Sequence, residues 1–249
     1  EGYATAYVWE KVLQKDTLMN ILQRYMHLDV NSSPAKLIFP RFHQLDVVEK
    51  LIHHARLSGS GHNYLVQHSA GSGKSNSIAW LAYRLASLHD ENDHNVFTST
   101  IIVTDRRVLD RQLQDTIASF DHTAGLVETI GKNKTSKDLR DAINDGKKII
   151  ITTLQKFPVI FEEIEDNKGK NFAVIVDEAH SSQTGNSAKK LKAALADTEQ
   201  ALREYAELEG ELEDNEEDGQ DKIVKELITH GKQPNLSFFA FTATPKEKT

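Results

Sequence analysis

Gly71-Ser72-Gly73-Lys74-Ser75 lies directly behind a short apolar run and opens a stretch of helical periodicity. Strand, glycine loop and Lys-Ser helix start together form a phosphate cradle. Backbone N–H groups from Ala70 to Ser75 can turn inward onto phosphate oxygens, with the positive end of a helix dipole behind them. Gly71 and Gly73 let the backbone fold back and approach a ligand with no Cβ in the way. In such a loop Lys74 reaches the β- and γ-phosphates of a nucleotide and the Ser75 hydroxyl ligates Mg²⁺. The general spacing asks for glycine at 68, and this chain has His68. Position 68 starts the turn without touching the nucleotide, and histidine tolerates unusual φ better than most residues, so the loop remains a phosphate loop.

A second chemical pair stands at Asp177-Glu178, at the end of Phe172–Asp177. A strand aims successive side chains to opposite sides, so the two carboxylates can take different roles. Asp177 is expected to hold Mg²⁺ through water. Glu178 is expected to orient and deprotonate an attacking water. A third segment, Thr242-Ala243-Thr244-Pro245, ends another apolar run. Its hydroxyls, from Thr242 and Thr244, are placed to couple the γ-phosphate state to a distant surface.

These residues need a scaffold that brings strand ends to one edge. Strands are expected at Tyr64–Gln67, Thr100–Thr104, Lys148–Thr152, Phe172–Asp177 and Leu236–Phe241. Between them lie helical patterns at Ser75–Ser87, Val108–Phe120 and Ser136–Asn144. Short β-rich apolar runs alternating with helices imply an α/β fold with a mostly parallel sheet covered on both faces. Right-handed crossovers then collect the C-terminal strand ends on one edge, where open α/β sheets bind ligands. Ahead of this core, a helix is expected from an N-cap at Asp16, carrying Leu18, Ile21, Leu22, Tyr25 and Met26. Asn31-Ser32-Ser33-Pro34 punctuates the chain, and a further helix presents Leu45, Val48, Leu51 and Ile52 on one face. The expected division is 1–33 as an N-terminal helical linker from a preceding domain and 34–249 as one nucleotide-binding lobe. That lobe contains an acidic, mobile insertion at about 195–232.

The 249 residues suffice for one large domain, and no run approaches the ~20 apolar residues of a membrane helix. The chain has no cysteine, which excludes disulfides and thiolate metal sites. It starts at Glu1 with no signal-peptide pattern, and is expected to be a piece of a longer protein. A net charge of −7 argues against a nucleic-acid binder until its distribution is seen. Nine of the 37 acidic residues fall within 207–221, with no Lys or Arg among them, so the remaining body is slightly basic.

The motifs resemble those of superfamily 2 helicases and translocases of the DEAH spelling, here Asp177-Glu178-Ala179-His180. Four further strings narrow the likeness. His68 through Ser75 is similar to the phosphate loop of type I restriction–modification R subunits, in which histidine commonly fills the first slot. Val103-Thr104-Asp105-Arg106-Arg107-Val108-Leu109-Asp110-Arg111-Gln112 is similar to that family's motif Ia. Arg41-Phe42-His43-Gln44 resembles its adenine-side motif, and Ile151-Thr152-Thr153-Leu154-Gln155 its next DNA-side motif.

The resemblance implies a RecA-like motor lobe that binds ATP and Mg²⁺. Gln44 would read adenine, a pairing its amide geometry allows. Arg106, Arg107, Thr152 and Thr153 would meet the DNA backbone, and His180 would face a partner lobe. It also implies double-stranded DNA, methylation and specificity subunits, and a second RecA-like lobe of the same chain as partners. The expected setting is the cytoplasm of a bacterium or archaeon. The nuclease domain and second motor lobe of that family are not recognised within these residues. The alternatives are another superfamily 2 helicase or a type III restriction subunit. A metabolic P-loop kinase or GTPase is disfavoured, because it needs neither the Thr-Ala-Thr segment nor the Asp-Arg-Arg string.

Overall fold

The computed structural model describes residues 3, 5–29, 33–69, 71–104, 113, 116–117, 125–131, 134–153, 156, 159–160, 163, 167, 169–177 and 233–243, the last two by their backbone. Its centre is a six-stranded sheet with every neighbouring pair parallel, in the order β3-β8-β7-β4-β6-β5. These strands are β3 Asn63–His68, β4 Ser99–Thr104, β5 Val127–Thr129, β6 Ile149–Thr153, β7 Phe172–Asp177 and β8 Leu236–Ala243. The expected α/β class and parallel sheet are therefore present. The five expected strands all occur, most of them a residue or two longer than their apolar cores.

Alternation along the strands sorts the core into two layers. Ile102, Ile149, Ile151, Ala173, Ile175, Phe239 and Phe241 point to one face. Ile101, Val103, Ile150, Phe172, Val174, Val176, Phe238 and Ala240 point to the other. A strand apolar at every position must be covered on both sides, and this one is. Helices α2 (Phe42–Ser58) and α3 (Lys74–Ala86) join the first layer through Leu45, Val48, Leu51, Ile52, Ile78 and Leu81. Helix α4 (Ser136–Asn144) closes the second with Leu139, Ala142 and Ile143. The four apolar positions expected on α2 are all buried, together with Gln44 and Ala55.

The N-terminal segment packs on the same core. Helix α1 (Lys15–Arg24) starts one residue before Asp16. Its N-cap is Gln14, whose side chain makes no capping bond, and Asp16 sits inside the first turn, where a carboxylate favours the helix dipole. That corrects the expected Asp16 cap. Of its expected apolar face, Ile21 and Tyr25 are fully buried, while Leu22 stays about half exposed. Tyr25 lies against Trp80 of α3, with ring centroids 5.5 Å apart, and the Trp80 indole N–H donates to the Tyr25 carbonyl at 2.9 Å. A two-stranded antiparallel ribbon, β1 His27–Asp29 with β2 Lys36–Ile38, leads into α2. Neither the ribbon nor β5 was expected. Each strand has three residues, with a charged group in or beside it, too short for alternation to register. The expected helix over 108–120 and the acidic insertion lie largely or wholly outside the described residues.

Candidate active site

Because the strands run parallel, β3, β8 and β7 deliver their last residues to one edge. In register, His68 pairs with Ala243 and Asp177 with Phe241. The glycine loop leaves β3 at that edge and enters α3 at Lys74. Gly71 has φ +75° and Gly73 φ +80°, the left-handed region that L side chains avoid. A Cβ on Gly73 would also stand 2.5 Å from Gln44 Nε2 and push that amide aside, so conformation requires glycine there and the Gln44 contacts favour it.

Lys74 is the first residue of α3, and its ammonium lies 3.5 Å from Asp177 Oδ1 at the end of β7. Both side chains are largely enclosed, 13% and 6% exposed. Lys74 Nζ is buried and has no hydrogen-bond partner among the described residues. A buried ammonium without hydrogen bonds is costly, and phosphate oxygens would satisfy it. Two residues expected to act on one triphosphate, 103 positions apart, are thus brought together. Ser75 follows on α3 beside Lys74.

The back of the loop is held by the start of α2. Gln44 donates from Nε2 to the carbonyls of Ser72 (3.2 Å) and Gly73 (2.9 Å), and its Oε1 accepts from the Arg41 backbone N–H at 2.8 Å. His43 Nε2 donates to the same Ser72 carbonyl at 3.0 Å, and the Arg41 guanidinium reaches Gly71 O at 3.5 Å. So Gln44, expected to read adenine, is committed here to the loop. Reading adenine would require part of this hydrogen-bonding to be exchanged.

His68 departs from its expected role. It has no positive φ; it is the final residue of β3, extended and buried. Its Nδ1 is hydrogen-bonded to Ser72 Oγ at 3.3 Å, and its ring meets His43 and Phe241 edge-on, with centroids 5.6 and 5.8 Å away. Burial, with His43 and Lys74 beside it, holds the imidazole below its ordinary range. Position 68 needs no unusual backbone because the turn begins after it.

On the far side of the sheet, β4 and β6 end together, with Thr104 in register with Thr153. Thr152 is fully buried and Thr153 nearly so. Thr104 Oγ1 donates to the Thr152 carbonyl at 3.4 Å. The Thr152 side chain is therefore not presented at this edge. Ala70, Arg106, Arg107, Glu178, His180 and Thr244 lie outside the described residues, as does the side chain of Thr242. Arg41 and His43 are the loop supports that residue spacing alone did not reveal. Their contacts span 29 and 30 positions, and no local periodicity announces them.

A parallel sheet flanked by helices, with a lysine-bearing glycine loop facing an acid-ended strand, is the layout of a P-loop nucleotide-binding lobe. The SWI2/SNF2 ATPase family model matches residues 43–201, well over half of the chain, and the chain belongs to that family. The chain is 29% identical over 201 residues to the C-terminal part of the type I restriction enzyme MpnIIP endonuclease subunit of Mycoplasma pneumoniae, covering 74% of this chain and 88% of that one. It is 30% identical over 186 residues to the type I restriction enzyme HindI endonuclease subunit of Haemophilus influenzae, covering 70% of this chain and 17% of that one. Among solved structures, the UvsW protein of bacteriophage T4 aligns over 92% of this chain and 34% of its own, at 16% identity and a TM-score of 0.48. Among the described residues no helix is long and apolar enough to cross a membrane.

Proposed function

We propose that this chain is the ATP-binding lobe of an ATP-dependent double-stranded DNA translocase within a type I restriction endonuclease subunit. The observation that carries the reading is the Lys74–Asp177 pair, held 3.5 Å apart at the mouth of the glycine loop. In this reading Gly71, Ser72, Gly73 and the neighbouring N–H groups of Ala70 and Ser75 cradle the phosphates, and Lys74 offsets charge at the β/γ position. Ser75 and Asp177 offer hard oxygen donors of the kind Mg²⁺ prefers. Bound there, Mg²⁺ would supply neutralisation of phosphate charge. Glu178 accepts the proton of the attacking water. His180, Thr242 and Thr244 relay the γ-phosphate state toward the DNA side.

On that side Arg106, Arg107 and Thr153 meet the phosphate backbone, which positions the track without reading sequence. Thr152 supports them from within the sheet. Adenine recognition by Gln44 proceeds by exchange of one of its loop bonds. Partners in this reading are double-stranded DNA, a second RecA-like lobe, and the methylation and specificity subunits of the complex.

The test is ATP hydrolysis with and without double-stranded DNA, on this chain alone and on the chain joined to a second lobe. An arginine finger from such a lobe is worth about 10³–10⁵ in rate. The single lobe should therefore hydrolyse ATP poorly, the joined protein should respond to DNA, and Glu178→Gln in the joined protein should lose about 10²–10⁴-fold while still binding ATP. Strong DNA-dependent turnover by residues 1–249 alone, or full turnover by Glu178→Gln, contradicts this reading.

A further inference from the structure

The residue filling the first slot of the phosphate loop has work that glycine could not do. The Ser72 carbonyl accepts from His43 Nε2 at 3.0 Å and from Gln44 Nε2 at 3.2 Å. A trans, planar peptide directs its N–H opposite to its C=O, so holding the Ser72 carbonyl against α2 turns the Gly73 N–H away from α2. The Ser72 side chain is pinned independently. Its hydroxyl is hydrogen-bonded to His68 Nδ1 at 3.3 Å, and both residues are more than nine-tenths buried. His68 is in turn fixed by its own strand pairing with Ala243 and by edge-on packing against His43 and Phe241.

We propose that His68 is a positioning residue for the phosphate loop, gripping Ser72 from the sheet while His43 grips it from α2, so that the loop N–H groups are aimed before a nucleotide arrives. The inference rests on the nucleotide-binding reading above and deepens it. A glycine at 68 would leave the Ser72 hydroxyl without this partner and the loop braced from α2 alone. Preorganisation of this kind raises affinity by removing an ordering cost from the binding step. Histidine also suits the place electrically. Buried beside Lys74, the ring is held toward its neutral form and adds no second cation next to the ammonium.

The experiment measures ATP·Mg²⁺ and ADP·Mg²⁺ affinity by titration calorimetry on the unmodified chain, His68→Ala, Ser72→Ala, the double variant, His68→Asn and Lys74→Ala. His68→Ala and Ser72→Ala should each weaken binding about five- to tenfold, the size of one net hydrogen bond. The double variant should be no weaker than either single one, since both remove the same contact. His68→Asn, which can still bond the Ser72 hydroxyl, should recover most of the loss. Unchanged affinity in Ser72→Ala, or additive losses in the double variant, overturns the inference. Ser72→Ala and His68→Asn decide the matter even where His68→Ala does not fold. If Lys74→Ala leaves ATP binding intact, the nucleotide reading itself has failed; if it abolishes binding while His68→Ala and Ser72→Ala do not alter it, only the role of His68 has.

Discussion

At the scale of single residues, the site is governed by which atoms are left without a hydrogen-bond partner and which are committed. Lys74 Nζ is buried with no hydrogen-bond partner among the described residues, beside a carboxylate at 3.5 Å. Gln44, by contrast, spends Nε2 on two loop carbonyls and Oε1 on the Arg41 N–H. The loop is braced while its cation waits. Gly73 shows how tight the brace is. Gly73→Ala would place a Cβ 2.5 Å from Gln44 Nε2 on a backbone with φ +80°. The left-handed conformation alone costs about 1–2 kcal/mol for an L side chain. The variant should melt several degrees lower and bind ATP at least about tenfold more weakly, because its Gln44 contacts must break. Calorimetry with a matched thermal melt checks this; normal affinity would mean that Gln44 is not a necessary support. The glycines, Lys74, Ser75 and Asp177 were legible because their spacing is itself the chemistry. Arg41 and His43 stood out only within an adenine-side motif; their use as loop supports was not legible, since it depends on α2 starting beside a loop nearly thirty residues later.

Elements tell a similar story at the next scale. Strand β7 and helix α4 have the bounds that periodicity predicts, because an unbroken apolar run and a Thr135 cap leave no ambiguity. The ribbon β1–β2 and strand β5 escaped notice for want of length. Which strands lie side by side was not readable at all, since β3 and β8 pair across 175 residues of sequence. What fixes α1 and α2 around α3 is a polar knot. Arg84 of α3 donates to Glu49 Oε1 (2.8 Å), Tyr25 Oη (3.1 Å) and Asn20 Oδ1 (3.4 Å). Burial alone would raise the Glu49 carboxyl, but the Arg84 charge and hydrogen bonds from Tyr25, Arg84 and Asn20 outweigh it and hold it below the usual glutamate range.

The consequence for pH has a definite sign. A depressed carboxyl contributes its full stability above the unfolded-state value, about 4.3, and loses it as pH falls toward the folded-state value. Arg84→Met should cost about 1–3 kcal/mol, less than a fully buried pair because Glu49 keeps 34% of its side-chain surface in water. Denaturant melts of both proteins at pH 7 and pH 3.5 check the pair, and the difference between them should shrink at the lower pH. An equal difference at both values would remove Glu49 from the partnership.

For the whole molecule, the central consequence of the fold is that the loop after β3 and the acid ending β7 meet at one edge of the sheet, with Lys74 Nζ 3.5 Å from Asp177 Oδ1. The chain spans most of one type I restriction relative, itself a C-terminal part, and about a sixth of another. Nine of the 37 acidic residues fall in 207–221 with no Lys or Arg among them, which leaves the rest of the chain slightly basic. The most direct test of the account is the calorimetric affinity of this chain for ATP·Mg²⁺ beside that of Lys74→Ala. The account predicts measurable binding by the unmodified chain and none by Lys74→Ala at the same concentrations, with the variant folded by its melting curve. Equal affinity in the two proteins would place the nucleotide elsewhere and contradict the account at its centre.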